Sequence, residues 1–159
     1  MEERNLSDIR LVGESYIEFK HSAEFGSCSH YIKDFNAIYY DDVFGIFYFY
    51  PNSDNVRGKK YTATKEDFEE LRSVILKSPQ VVTCGDYIFS LNNIVTFSKA
   101  KREGSLYIDC RTDGYIIEAN GNEEIKAFGI AMRKKWQKTL SEFDQSKESV
   151  NIEEDTLIR

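Results

Sequence analysis

Short runs of aromatic and β-branched residues recur along the chain between turn-forming residues, and this limits the possible folds more than any other feature. Val, Ile, Thr, Tyr and Phe in such runs favour half-buried strands. The predicted strands are Ser15–Phe19, Tyr31–Ile32, Ala37–Tyr40, Ile46–Tyr50, Lys60–Ala63, Val81–Thr83, Asp86–Phe89, Ile94–Phe97, Leu106–Cys110 and Tyr115–Ala119. Cys84-Gly85-Asp86 and Thr112-Asp113-Gly114 read as hairpin turns, because Gly and Asp supply the backbone freedom and local hydrogen bonds that tight turns need. Ser22–Ser29 reads as a loop.

Two stretches switch to helical period. Thr64 and Asp67 form a capping-box pair, followed by the stripe Phe68, Leu71, Val74 and Ile75, with Pro79 just beyond. The second helix starts near Asn122, with Glu123 and Glu124 in its first turn. Its stripe is Ile125, Phe128, Met132, Trp136, Leu140 and Phe143, at spacings of three and four.

The order of these elements recurs. Tyr31-Ile32-x-x-Phe35-Asn36-x-Ile38 aligns with Tyr87-Ile88-x-x-Leu91-Asn92-x-Ile94, and Glu66-x-Phe68-x-x-Leu71 with Glu123-x-Ile125-x-x-Phe128. The expected fold is therefore α+β: two tandem pseudo-repeats, residues 31–78 and 87–143, of antiparallel strands each followed by one helix. One such unit is too small to bury both its faces. The two are expected to pack as a single domain over residues 1–143, followed by an acidic, flexible tail over 144–159.

With 41% hydrophobic and 30% charged residues in 159, the chain has the composition of a globular domain. Its N-terminus lacks the basic start and apolar core of a secretory signal, and its longest nearly apolar run, Val43 to Tyr50, is far too short to span a bilayer. No membrane association is expected, and the cytoplasm is the expected compartment. Cys28, Cys84 and Cys110 are an odd number of cysteines without such a signal, which argues against a disulfide framework. Cys110 reads as a small core residue.

No Walker loop, Gly-x-Gly-x-x-Gly, Cys-x-x-Cys, His-Glu-x-x-His or Gly-x-Ser-x-Gly occurs. His21, Cys28 and His30 are the one cluster with chemical potential, as a thiolate–imidazole pair or the start of a zinc site. Against that, a fourth ligand is not evident. The acid pairs Asp41-Asp42 and Glu69-Glu70 read as solvated surface charge. No catalytic residue, cofactor or metal is expected.

Three basic clusters stand out: Arg57-x-Lys59-Lys60, Lys99-x-Lys101-Arg102 and Arg133-Lys134-Lys135. The first two flank loops beside strands that carry Tyr48, Tyr50 and Tyr107. Basic loops beside exposed strand aromatics suit single-stranded nucleic acid, through phosphate contacts and base stacking. The candidate residues for that chemistry are Arg57, Lys59, Lys60, Lys99, Lys101, Arg102, Tyr48 and Tyr107. The competing reading makes these clusters ordinary solvated turns and the tyrosines half-buried core. In topology, the stretch Gly45–Tyr50, Lys60–Ala63 and Glu66–Ile75, with its second copy, resembles the Whirly and Pur-type single-stranded nucleic-acid binders, a likeness that implies such binding.

Charge points elsewhere. The net charge is −6, and residues 144–159 supply half of it. A small, acidic chain without catalytic motifs suits a non-catalytic protein that binds and blocks a basic protein target. An inhibitor, immunity protein or antitoxin of the kind found among phage and bacterial accessory proteins fits that description. A protein partner is thus the favoured expectation. Single-stranded nucleic-acid binding is the alternative.

Overall fold

The turn formers divide the chain, and in the computed structural model the segments between them pair into three antiparallel sheets. The structure describes residues 4–24, 26–53, 57–119 and 121–146, and of residues 135–146 only the backbone. Leu6–Val12 (β1), Tyr16–His21 (β2) and Ser27–Tyr31 (β3) form a sheet in the order β1-β2-β3. Phe35–Asp41 (β4), Ile46–Pro51 (β5) and Lys59–Thr62 (β6) precede the helix Lys65–Ile75 (α1), after which come Val81–Cys84 (β7) and Tyr87–Ser90 (β8). These five strands make the second sheet, in the order β6-β5-β4-β8-β7. Ile94–Lys99 (β9), Ser105–Cys110 (β10) and Gly114–Glu118 (β11) form the third, in the order β11-β10-β9, before the helix Asn122–Ser146 (α2).

The five-stranded sheet is the middle layer. Alternation along β5 sends Phe47 and Phe49 to one face and Tyr48 and Tyr50 to the other. On the first face, Ile38, Phe47, Phe49, Tyr61 and Ile88 pack with Ile17 and Phe19 of β2 and with Phe68, Leu71 and Ile75 of α1. On the second, Ala37, Val82, Cys84 and Phe89 pack with Leu106, Ile108, Cys110 and Ile117 of the third sheet and Phe128 and Met132 of α2. Burial on both faces explains why Phe35 through Ile38 form an unbroken buried run rather than an alternating one.

Helix α1 begins as its sequence predicts. The Thr64 side chain accepts from the Asp67 amide while the Asp67 carboxylate accepts from the Thr64 amide. The same buried carboxylate accepts from the Asn5 amide at 2.8 Å and from the Arg4 guanidinium, which ties the N-terminal segment to the helix.

The expected two-repeat α+β architecture is corrected by this topology. Eleven strands in three sheets dominate over two helices among the described residues, and the central sheet mixes both supposed units, with β4 paired to β8. A further sheet, β1-β2-β3, lies almost wholly outside them. Strand pairing between the units wins because β4 and β8 each have two apolar faces to cover. Of the expected second-helix stripe, Phe128 and Met132 are buried in the core shared by the central and third sheets. The side chains of Trp136, Leu140 and Phe143, and residues 147–159 of the acidic tail, lie outside the described residues.

Candidate nucleic-acid interface

Cys28 and His30 share one face of β3 and meet Phe19 and Ile17 across β2. His30 stacks on Phe49 with ring centroids 3.9 Å apart, and its Nε2 is hydrogen-bonded to the Tyr61 hydroxyl at 2.6 Å. Burial, with a smaller effect from the Lys59 charge, lowers the His30 pKa to about 4, and burial raises that of the Cys28 thiol. A neutral imidazole beside a protonated thiol is not a nucleophile pair at neutral pH. At His21, Nδ1 accepts from the Ala23 amide at 3.1 Å, so Nε2 carries the proton and donates to the Thr62 carbonyl at 2.8 Å. Both ring nitrogens of His21 are thus occupied by backbone. Among the described residues, no group of three or more His, Cys, Asp or Glu side chains is placed to hold a metal ion. The cluster packs the first core.

Tyrosines surface on two sheet faces of opposite electrostatic character. On the second face of the central sheet, the side that meets the third sheet, Tyr48 lies opposite Tyr39 and Lys60. Tyr39 stacks on Tyr87 at 4.6 Å, Tyr87 on Tyr50 at 6.4 Å, and Tyr50 on Tyr48 at 6.2 Å. Acids rim this strip: burial raises the Tyr39 pKa, and Asp41, Asp86 and Asp42 raise it further. A phosphate there would face three carboxylates.

The second face belongs to the third sheet. One side of that sheet is covered by α2, with Phe97 edge-on to Phe128 at 5.3 Å. The other carries Tyr107, which lies directly opposite Ser98 on β9 and Ile116 on β11. Tyr107 is 40% exposed and Ile116 is 69% exposed. The hairpin joining β9 to β10 supplies Lys99, Lys101 and Arg102, all exposed. None of these three forms an ion pair with a described residue.

The structure does not bring the two predicted loop clusters together. The Asn52 side chain, at the start of the β5–β6 loop, donates to Asn93 Oδ1 at 3.2 Å, just ahead of β9. Lys99 sits at the other end of β9, about 17 Å along the strand at 3.3 Å per residue. Lys59 pairs with Glu24 at 3.4 Å and lies 5.6 Å from the Tyr61 ring, and Lys60 lies beside the acid-rimmed tyrosines. Arg57 is exposed before β6.

The third basic run takes the place of the first. A Cβ on Gly129 would lie 3.4 Å from the Arg133 guanidinium and 3.8 Å from the Phe97 ring. Arg133 therefore flanks β9 on the side where Lys99 follows Phe97 at the next in-facing position. Lys134, next to it, is exposed. The signal for this was present as Arg133-Lys134-Lys135, but only the packing of α2 across β9 joins it to the hairpin.

No protein-family model matches the chain, and no curated protein sequence matches it. Among solved structures it is similar to the LytTr DNA-binding domain of a response regulator from Bacillus cereus. That similarity has a TM-score of 0.46 and 13% sequence identity, and covers 77% of this chain and 96% of that one.

The expectation of a protein-binding inhibitor or immunity protein is corrected here. Five of the body acids that suggested a basic protein target are instead engaged by cations of the same fold. Asp67 and Glu70 hold Arg4, Glu18 holds Arg10, Asp8 holds Lys20 at 3.2 Å and Glu24 holds Lys59. Among the described residues, no helix is long and apolar enough to cross a membrane.

Proposed function

We propose that the chain binds nucleic acid through the β9–β10 hairpin and the adjoining turn of α2. The observation that carries this reading is the grouping of exposed cations without ion-pair partners among the described residues, Lys99, Lys101 and Arg102, at one end of a sheet whose open face presents Tyr107. A lysine or arginine already held by a carboxylate must give up that partner before it can neutralise a phosphate. These three have none among the described residues, and Arg133 and Lys134 extend the group along the edge strand. Five phosphate contacts correspond to a logarithmic salt slope of about 3–4 on a single strand. Such binding is micromolar in scale and weakens about a hundredfold between 50 and 200 mM salt.

Fluorescence anisotropy with labelled mixed-sequence oligonucleotides, titrated at several salt concentrations, tests this. Lys101→Glu with Arg102→Glu should weaken binding at least tenfold and lower the slope by roughly two. Binding indifferent to those two reversals, or absent even at low salt, sinks the reading.

A further inference from the structure

The open face of the third sheet has a feature that phosphate binding alone does not require. Tyr107 does not stand upright on β10. Its ring leans diagonally across β11, so that a Cβ on Gly114 would meet the hydroxyl oxygen at 2.4 Å and ring carbons at 3.0 and 3.3 Å. Gly114 sits opposite Asp109, two residues along from the Tyr107–Ile116 pair and on the same face, and a diagonal neighbour is within reach of an aromatic side chain. Only a residue without a side chain leaves the ring room to lie down there. The hydroxyl end of the ring lies over the glycine, and the side chain remains 40% exposed.

We propose that Tyr107, laid over Gly114, is a stacking platform for an unpaired nucleobase, so that the nucleic acid this site takes is single-stranded. The inference rests on the nucleic-acid reading above and deepens it. A base within a duplex already has both π-faces stacked, whereas an unpaired base has a face free for an aromatic ring. The surrounding charges orient the strand. Asp109 lies on the same face as Tyr107, beside Gly114, and repels phosphate from that end. The hairpin beyond Ser98, the direct cross-strand neighbour of Tyr107, carries the exposed Lys101 and Arg102 and attracts phosphate to the other end. The sugar–phosphate backbone then runs past the hairpin while the base lies on the ring. Gly114 is a positioning residue in this arrangement.

The test separates stacking from phosphate binding and from simple shielding of the sheet. Labelled single-stranded and duplex DNA of one mixed sequence, and an oligonucleotide of abasic sites, are titrated against the full chain. The wild type should bind the single strand about tenfold more tightly than either of the others, a ratio in the range one base–aromatic stack provides. Tyr107→Phe keeps a π-face and should retain that preference. Tyr107→Leu keeps an apolar cover but no π-face, and should lose it with an unchanged salt slope. Gly114→Ala displaces the far end of a flexible ring and should lose it while the chain stays folded by circular dichroism. Equal affinity for single strand and duplex, or full affinity in Tyr107→Leu, overturns the platform but leaves the phosphate site standing. Binding of neither nucleic acid at low salt overturns the parent reading and this inference together.

Discussion

The β1–β3 sheet with its neighbours and the β9–β10 hairpin use the same charged residues to different ends. In the first region, Arg4, Arg10, Lys20 and Lys59 each meet a carboxylate. In the second, Lys99, Lys101 and Arg102 project from a hairpin with no carboxylate of a described residue holding them. The two tyrosine faces differ in the same sense, one bordered by Asp41, Asp42 and Asp86 and the other by the basic hairpin. Counting charges along the chain averages over this difference. A net acidic chain can present a local cationic surface if its acids are spent on its own cations elsewhere.

The largest expected effect tests the packed side of this comparison. Phe47 is fully buried and edge-on or stacked against Phe19, Phe49 and Tyr61. Phe47→Ala should cost about 3–5 kcal/mol in a urea titration. Ile116→Ala, on the open face, should fall within about 0.5 kcal/mol of wild type. A large loss at Ile116 would mean that this face is covered.

The next effect is a pH window. The His30 pKa is about 4 in the folded chain and about 6.5 when unfolded. The folded state therefore resists protonation that the unfolded state accepts. Stability is fully present above pH 6.5 and is lost as the pH falls from there through 4, by up to about 3 kcal/mol. His30→Gln leaves Tyr61 a hydrogen-bonding partner without a charge to gain, and should be flat over that window. A wild-type profile equally flat between pH 6.5 and 4 would show the ring to be solvated.

A smaller and more acidic effect belongs to Asp67. Burial pushes its carboxyl up, but hydrogen bonds from Arg4 and the amides of Asn5 and Thr64 outweigh it and hold the pKa below the usual value. Stability from this group is present above about pH 4, the unfolded carboxyl value, and is lost as pH falls further. Asp67→Asn should cost about 1–3 kcal/mol at neutral pH and remove part of the acid limb. An unchanged acid limb would show that other carboxylates set it.

Much of the local structure was legible. The capping box at Thr64 and the strands Ile46–Pro51 and Ser105–Cys110 follow from period and turn chemistry. Two strands were hidden for identifiable reasons. In β1, Asp8 has φ of 51° and the register shifts between Ser7 and Arg10, which breaks the two-residue period. In β3, the in-facing residues are Cys28 and His30 rather than aliphatic ones, so Ser27–Tyr31 reads as polar loop. Local repetition also carried no information about which strands pair across the chain, and the β4–β8 ladder decided the architecture. Of the candidate site, the hairpin cations and Tyr107 were visible. The approach of Arg133 and the glycine under Tyr107 depend on contacts between separate elements.

The smallest effect on stability bears most directly on the comparison. Lys59 and Lys101 are both exposed lysines in basic clusters, and their sequence surroundings do not separate them. Lys59 has Glu24 and the Tyr61 ring within reach, whereas Lys101 has no carboxylate partner among the described residues. An exposed ion pair is worth at most about 1 kcal/mol, so Lys59→Ala should lower stability by a few tenths to one kcal/mol. Lys101→Ala should leave it within about 0.5 kcal/mol of wild type. Binding should reverse the order. A residue that meets a phosphate contributes roughly one to the salt slope, and one turned inward to a carboxylate contributes none. Lys101→Ala should therefore lower the slope by about one, and Lys59→Ala should leave it unchanged. If Lys59→Ala lowers the slope as much as Lys101→Ala does, the paired and unpaired cations are equivalent to the ligand, and the division of the molecule into a self-neutralised region and a binding region fails.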